Sequence, residues 1–570
     1  MGIVQDSIDS MNPQGLSLWC LVLPTLFAIL GAATYLVTLA SHMWTRYNGK
    51  DGQEKLKRWH SQDWGDNTPL SVQLPAFRGY LITQPEHFGP LLKATRFLSN
   101  KKVMAELMRD VFGTPPRVMP LYLGDNSGIE AKPIQGTSVP EYQRIWNSQH
   151  ADSAKYLTGD ALRGLAARFT SILSEAMSKA DPHDPADSGE WVTIEDFYPW
   201  WRARVFAAAT TALFGPHLLR LNPTLEQDFW NFADSIPTLA KRYPAWMAPR
   251  AHAARNKMLD NVKRWHAHAR EKSEYRSCGD DAPNWDEYWG SRWLKVRQRW
   301  GQDTNIMDDD GLASEDLALA IAWASSANAN AIPMAFWYLI EIYRDPSLLS
   351  RVLPELENAV KSPVSPGRDE PAAFDISCVL SSPLAQSIYA EVLRMRISLL
   401  LNRCPDKKDH RIGPWILRKG AYMTLSTAYI GYHGKAWELY TDSGRAPINE
   451  FWAERFLVPS DKITPPPALA KVKAPTERPL DTRETSEQKP RFSTKHLDGI
   501  WVPYGGGALM CPGRHFAKQE MMGSVAVFAH YYDLEVMTGK APPMNDKFYG
   551  MGAQQPSEKT PVRIRRKVGG

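Results

Sequence analysis

Three consecutive glycines, a cysteine four residues on and a proline directly after it constrain this chain more than any other stretch. The segment reads WVPYGGGALMCPGRHFAKQE over 501–520. Glycines at 505–507 permit a tight bend and a close approach of backbone to a flat ligand. Pro512 suits the first position of a helix, where its missing N–H costs nothing. Ala517, Met521, Val525 and Phe528 recur at helical spacing, which predicts a buried helix starting directly after the cysteine. Cys511 then stands at a helix N-terminus, where unpaired N–H groups and the positive dipole end favour its thiolate. A thiolate in such a bend can ligate iron and push electron density toward an O–O bond. The plainer alternative is a glycine-rich turn around a buried structural cysteine.

The remainder suits one large folded enzyme. Of 570 residues, 43% are apolar and 23% charged, a composition that folds rather than stays disordered. Residues 100–345 carry mostly helical spacing, interrupted by charge near 181–189 and 273–310. Residues 411–430 read as strands around a Lys419-Gly420 turn. The fold class is therefore mainly α with a small β region, in one catalytic unit over 69–570. The Pro-, Lys-, Thr- and Glu-rich stretch 461–498 reads as a surface insertion. Net charge is +5, without a long basic run, which argues against nucleic acid as a partner. Arg563, Arg565, Arg566 and Lys567 alternate with Val562 and Ile564 after Pro561, the pattern of an edge strand with a solvated face. The five cysteines (20, 278, 378, 404 and 511) form no C-x-x-C pair, so no disulfide framework or zinc ribbon is expected.

Residues 15–41 contain no charge and are long enough to span a bilayer as one helix. Asp6 and Asp9 precede them; Arg46, Lys50, Lys55, Lys57 and Arg58 follow. This asymmetry predicts a lumenal tail at 1–14, a transmembrane anchor at 15–41 and a cytosolic stalk at 42–68. A cleaved signal peptide would need a basic start and a shorter apolar core.

Tyr504, Gly507, Cys511 and Gly513 resemble the cytochrome P-450 haem loop F-x-x-G-x-x-x-C-x-G, with Ala517 also in its usual place. Tyr504 replaces the usual Phe. Leu509 stands where a basic residue normally contacts a propionate. The resemblance implies the cytochrome P-450 fold and haem b, with Cys511 as axial ligand and Tyr504, Gly507 and Gly513 around the cofactor. Glu391 and Arg394, in AEVLRMR, share a helix face at i and i+3. With Arg455, in NEFWAERF, they resemble the family's buried Glu-Arg-Arg network. Arg403 resembles its propionate arginine, where bidentate geometry suits a carboxylate; a surface arginine is the alternative. Leu399, Leu400 and Leu401 resemble a segment that lines the substrate pocket.

On the oxygen side, residues 314–345 read as one helix, with Ser314 as N-cap and Pro346 as stop. Pro333 predicts a kink beside Asn330 that frees the carbonyl of Ala329. A kink with Asn330 simply tied to backbone is the alternative. The family's A-G-x-D/E-T-T pattern is absent. A-N-A-I-P-M-A-F-W at 329–337 instead resembles the branch with sterol 7α-hydroxylases and prostacyclin synthase. Asn330 stands there for the oxygen-activating Thr, and Ala329 for the acid. Y-L-T-G-D-A-L at 156–162 resembles the same branch, without an evident W-x-x-x-R contact nearby. YPAWMAP at 243–249 reads as a lid, or else an ordinary buried loop. The resemblance implies a monooxygenase of the endoplasmic reticulum membrane, served by NADPH through a cytochrome P-450 reductase and acting on a lipophilic secondary metabolite. The alternatives are a non-oxidising isomerase or dehydratase of the same class, and an inactive haem- or lipid-binding membrane protein.

Overall fold

The computed structural model describes residues 70–74, 77–179, 189–322, 327–361, 371–438, 446–458, 490–495 and 497–567. The expected tail, anchor and stalk, 1–68, lie outside the described residues, as does most of the 461–498 insertion. Among the described residues no helix is long and apolar enough to cross a membrane.

Eight helices position the site: α1 Ile145–Tyr156, α2 Gly159–Ser178, α3 Phe197–Phe214, α4 Arg292–Asp303, α5 Asp309–Asp316, α6 Ile332–Tyr343, α7 Pro383–Arg396 and α8 Arg514–Tyr531. Every residue of α6 is buried, as suits a helix that is apolar nearly all round. The α8 helix packs against α2 and α6. Phe528 in its last turn meets Phe197, Trp201 and Tyr343 edge to face and stacks on Tyr532 at 5.4 Å. The Met521, Val525 and Phe528 periodicity thus marks the buried face, as the sequence predicts.

The strands are β1 Leu70–Leu74, β2 Phe77–Ile82, β3 Val192–Ile194, β4 Ile397–Pro405, β5 Tyr422–Ser426, β6 Tyr532–Val536, β7 Met551–Ala553 and β8 Val562–Arg566. The larger sheet runs β1-β2-β5-β4-β7. Only the β2–β5 pair along that path is parallel. The register Met423↔Arg403, Leu425↔Leu401 and Ala553↔Ile397 puts the C-terminal β7 beside the strand that carries Arg403.

Three local expectations are corrected, and the strands around the Lys419-Gly420 turn are present but pair with other partners. The basic C-terminal strand, β8, is the centre of a β6-β8-β3 sheet rather than an edge, because the distant β3 covers its second side. Arg563 and Arg565 do keep a solvated face, paired with Glu535 and Asp533, while Arg566 is buried on the carbonyls of Met177 and Ser178. Within 411–430, His410–Ile412 pairs with Trp415–Leu417 around Gly413. The Lys419-Gly420 turn leads to β5 in the larger sheet, and Thr427–Gly431 is a short helix. The charged stretch 273–310 contains α4, whose Arg297 is buried against Asp152 at 2.8 Å and Glu315 at 2.6 Å. Ser314 is not a cap: Asp308 caps α5 by accepting from the Gly311 amide at 2.9 Å, and Ser314 is buried inside the helix.

The helix expected over 314–345 is several pieces. Wide π-type turns at Leu317–Ala322 and Ala327–Ala331 separate α5 from α6. Pro333 falls in the first turn of α6, directly after the second widened turn. Pro346 does act as the stop and opens the next helix, with Asp345 as its cap.

Candidate active site

The Cys511 loop is closed by its own backbone. The Cys511 amide donates to the Tyr504 carbonyl at 3.0 Å, and that of Met510 to Gly507 at 3.2 Å. Gly507 has φ +66°, and a Cβ there would overlap the Leu92 carbonyl oxygen, so this position needs glycine. Gly513 is the N-cap of α8, which places Pro512 before the helix and Cys511 just outside its first turn. The amides of Gly513 and Arg514 still reach the sulfur. Burial pushes the thiol of the protein alone above its ordinary pKa; these two amides and the Arg514 charge pull against it. Tyr504, standing for Phe, places its hydroxyl 2.7 Å from that of Tyr389 on α7. One residue escaped the sequence reading here: Glu520, on α8, is fully buried with neither oxygen partnered among the described residues. Burial pushes its carboxyl well above the usual carboxylate range. Its only sequence signal is a carboxylate on the buried helix that follows the cysteine.

Glu391, Arg394 and Arg455 meet as a buried triad. Arg394 donates to both Glu391 oxygens, at 2.7 and 2.8 Å, and Arg455 to one of them at 2.8 Å. Arg394 Nη1 also donates to the Gly431 carbonyl, and Arg455 Nη2 to the carbonyls of Pro447 and Glu450. The Trp452 amide also reaches Glu391, at 3.2 Å. Such dense hydrogen bonding is what a buried charge cluster requires.

Arg403 is the opposite case. It is only 4% exposed, donates to the Asn402 carbonyl at 3.0 Å, and leaves Nε without a partner. No carboxylate pairs with it among the described residues, and burial brings its pKa down to about 10. It is not the surface arginine of the alternative. Alternation along β4 puts Leu399 and Leu401 on the Arg403 face and Leu400 on the other, so the three leucines do not line one wall. A Cβ on Gly550 would lie 3.0 Å from Leu400, whereas one on Gly505 would lie 3.5 Å from Leu401. The Arg403 face of β4 therefore approaches the Cys511 loop. A buried cation lacking an anion, beside a glycine cradle and a cysteine, fits a flat iron-bearing group with carboxylates at its rim.

The oxygen-side residues lie on the second wide turn, which packs against α8. Ala329 is half-buried and brings no acid. Asn330 accepts from the Ala553 amide of β7 at 3.0 Å, so its carbonyl oxygen is tied to backbone, as the alternative reading had it. Its Nδ2 has no partner among the described residues. Asn328, overlooked in the sequence, is fully buried with both amide atoms unpartnered among the described residues. The 243–249 segment is not an ordinary buried loop: Trp246 at its centre is 73% exposed.

No family model matches the chain. It is 34% identical over 510 residues, 88% of this chain and 84% of the relative, to the cytochrome P450 monooxygenase efuG of Hormonema carpetanum. It is 33% identical over 511 residues to the cytochrome P450 monooxygenase fsoE of Humicola fuscoatra, covering 89% of this chain and 83% of the relative. A more distant similarity, 25% over 415 residues, covers 70% of this chain and 72% of the cholesterol 7-alpha-monooxygenase of Cricetulus griseus.

Proposed function

The chain belongs to the cytochrome P450 monooxygenases, and from that premise we propose that it inserts oxygen into a lipophilic terpenoid or sterol-like molecule. Electrons come from NADPH through a membrane-bound reductase. The observation that carries the reading is Arg403, a buried guanidinium without a carboxylate, on the strand face that meets the Cys511 loop. When bound, haem supplies oxygen activation, and thiolate ligation favours O–O cleavage.

Cys511 would hold the iron of a bound haem. Arg403 would offer its Nε–H to a propionate, which would supply the missing counter-charge. Gly507 keeps the loop against Leu92 without a side chain in the way. Leu399 and Leu401 give the Arg403 face an apolar cover that excludes water. Asn330 does not titrate, so it orients a proton carrier such as water rather than delivering the proton itself. Ala329 adds no carboxylate to that route. The sterol named in one distant relative, the cholesterol 7-alpha-monooxygenase, supports a sterol-like molecule as the substrate class. The uncharged run at 15–41 and its flanking charges support an anchor in the endoplasmic reticulum membrane, with the catalytic unit in the cytosol.

The missing acid–alcohol pair favours one second reading, an isomerase or dehydratase that needs no external electrons. Two measurements on the membrane-bound protein decide: the carbon monoxide difference spectrum after reduction, and the NADPH dependence of turnover with terpenoid and sterol substrates. A strongly red-shifted Soret band with NADPH-dependent product supports the monooxygenase. The same band with NADPH-independent turnover assigns the isomerase. A band typical of histidine ligation removes Cys511 as the ligand.

A further inference from the structure

Asn330 is held from outside its own helix. The Ala553 N–H meets its Oδ1 at 3.0 Å, and an N–H faces only an acceptor. The chemistry therefore settles which way the amide points: oxygen toward β7, nitrogen away from it. Gly552 makes the approach possible. A Cβ there would lie 2.5 Å from Oδ1 but 3.9 Å from Nδ2, and the backbone has φ +132°, a region side chains rarely adopt. The strand is itself anchored on two sides. It pairs with β4 through Gly552↔Ser398 and Ala553↔Ile397. The next residue, Gln554, donates its amide to Arg396 at 3.0 Å and accepts from Trp337 Nε1 at 2.7 Å. Trp337 lies on α6, directly after the Asn330 turn. The strand that grips the amide is thus fastened to the helix that carries it.

We propose that Gly552 and Ala553 are positioning residues that lock the Asn330 amide, so that Asn330 serves the reaction as a hydrogen-bond donor only. This rests on the reading of Asn330 as an oxygen-side residue. A threonine hydroxyl in its place would rotate and could donate or accept; the locked amide cannot exchange roles. The oxygen side of this enzyme therefore presents one N–H₂ group, in one orientation set by a C-terminal strand more than 200 residues away.

The test is the infrared C–O stretch of the reduced, carbon monoxide-bound full-length protein, together with product per NADPH. A donor aimed at the ligand lowers this stretch and gives it a shift in D₂O. The wild type should show one band with a D₂O shift. Asn330→Ala should raise the band, abolish the shift and lower product per NADPH several-fold. Gly552→Ala pushes a methyl against Oδ1; it should split the band and uncouple turnover. In the Asn330→Ala background the same change should add nothing, which separates loss of the lock from general backbone strain. A wild-type band without a D₂O shift overturns the proposal, and needs no variant to fold. So does a folded Gly552→Ala protein with the wild-type band, or one whose effect persists undiminished in the Asn330→Ala background. If Asn330→Ala itself leaves band and coupling unchanged, the underlying oxygen-side reading falls instead.

Discussion

The two sides of the site are built to opposite standards. Around Cys511 the structure is closed: Glu391 holds two arginines, further donors of theirs find carbonyls, and Gly507 sits where no side chain fits. On the oxygen side the helix opens into wide turns, Asn328 has no partner among the described residues, and Asn330 uses one amide atom of two there. Energetics explains the contrast. Breaking a buried ion cluster costs about 3–5 kcal/mol, so that side tolerates little drift. A buried amide left unsatisfied costs about 1–3 kcal/mol, which a fold of this size can carry where a ligand or water completes it. The closed side matches the family's pattern nearly residue by residue, and the open side is where this chain departs from it.

The largest effect expected on the closed side is all-or-none. Cys511→Ala should abolish the red-shifted Soret band of the carbon monoxide complex. Cys404, beside Arg403 on β4, cannot substitute: strand alternation sends it to the other face, and burial pushes its thiol up to about 12. A retained band would dissolve the contrast between the two sides. Next in size, Glu391→Gln should lose about 3–5 kcal/mol, read as a lower unfolding midpoint and poorer haem retention, because two buried guanidinium groups then share no carboxylate.

Much of the closed side was legible in the sequence because its signals are local. The helix after Cys511 and the i,i+3 pair of Glu391 and Arg394 both follow from spacing within a few turns. Arg455 became legible only through the family's motif, since its contact with Glu391 crosses 64 residues of chain. What stayed hidden depends on partners distant in sequence. Nothing near β8 announces that β3 will cover its second edge. Arg297 reads as a solvated charge until Glu315 and Asp152 are brought to it. Pro333 gives the same signal for a kink and for the first turn of a new helix after a wide turn. Gly552 reads as an ordinary strand glycine; only its proximity to Asn330 gives it a role.

Arg403 sharpens the comparison, because it is the cation that the closed side leaves incomplete among the described residues, as Glu520 is the carboxyl. Arg403→Leu should act with opposite signs in two states. Without haem it removes a buried uncompensated cation and should raise the unfolding midpoint. With haem it removes a charge-assisted hydrogen bond worth about 2 kcal/mol, so haem transfer to an acceptor protein should speed roughly 30-fold. A fall in stability in both states would mean that Arg403 already has its partner within the protein.

The smallest effect expected belongs to Asn328. Its amide is fully buried, and neither polar atom meets a partner among the described residues. Leucine has the same branched four-heavy-atom side chain, somewhat bulkier, and no polar atom to satisfy. If nothing else occupies the wide turn, Asn328→Leu should therefore stabilise the protein by about 1–2 kcal/mol, a rise of a few degrees in the unfolding midpoint. If an ordered water completes the amide, the same change strands that water and the midpoint should fall instead. Either way the Cys511 side is untouched, so the red-shifted band should keep its wild-type position. The informative quantity is product per NADPH measured beside the midpoint. Gain in stability with loss of coupling would mark Asn328 as an amide kept for the reaction at the expense of the fold, and would extend the open side from one residue to two.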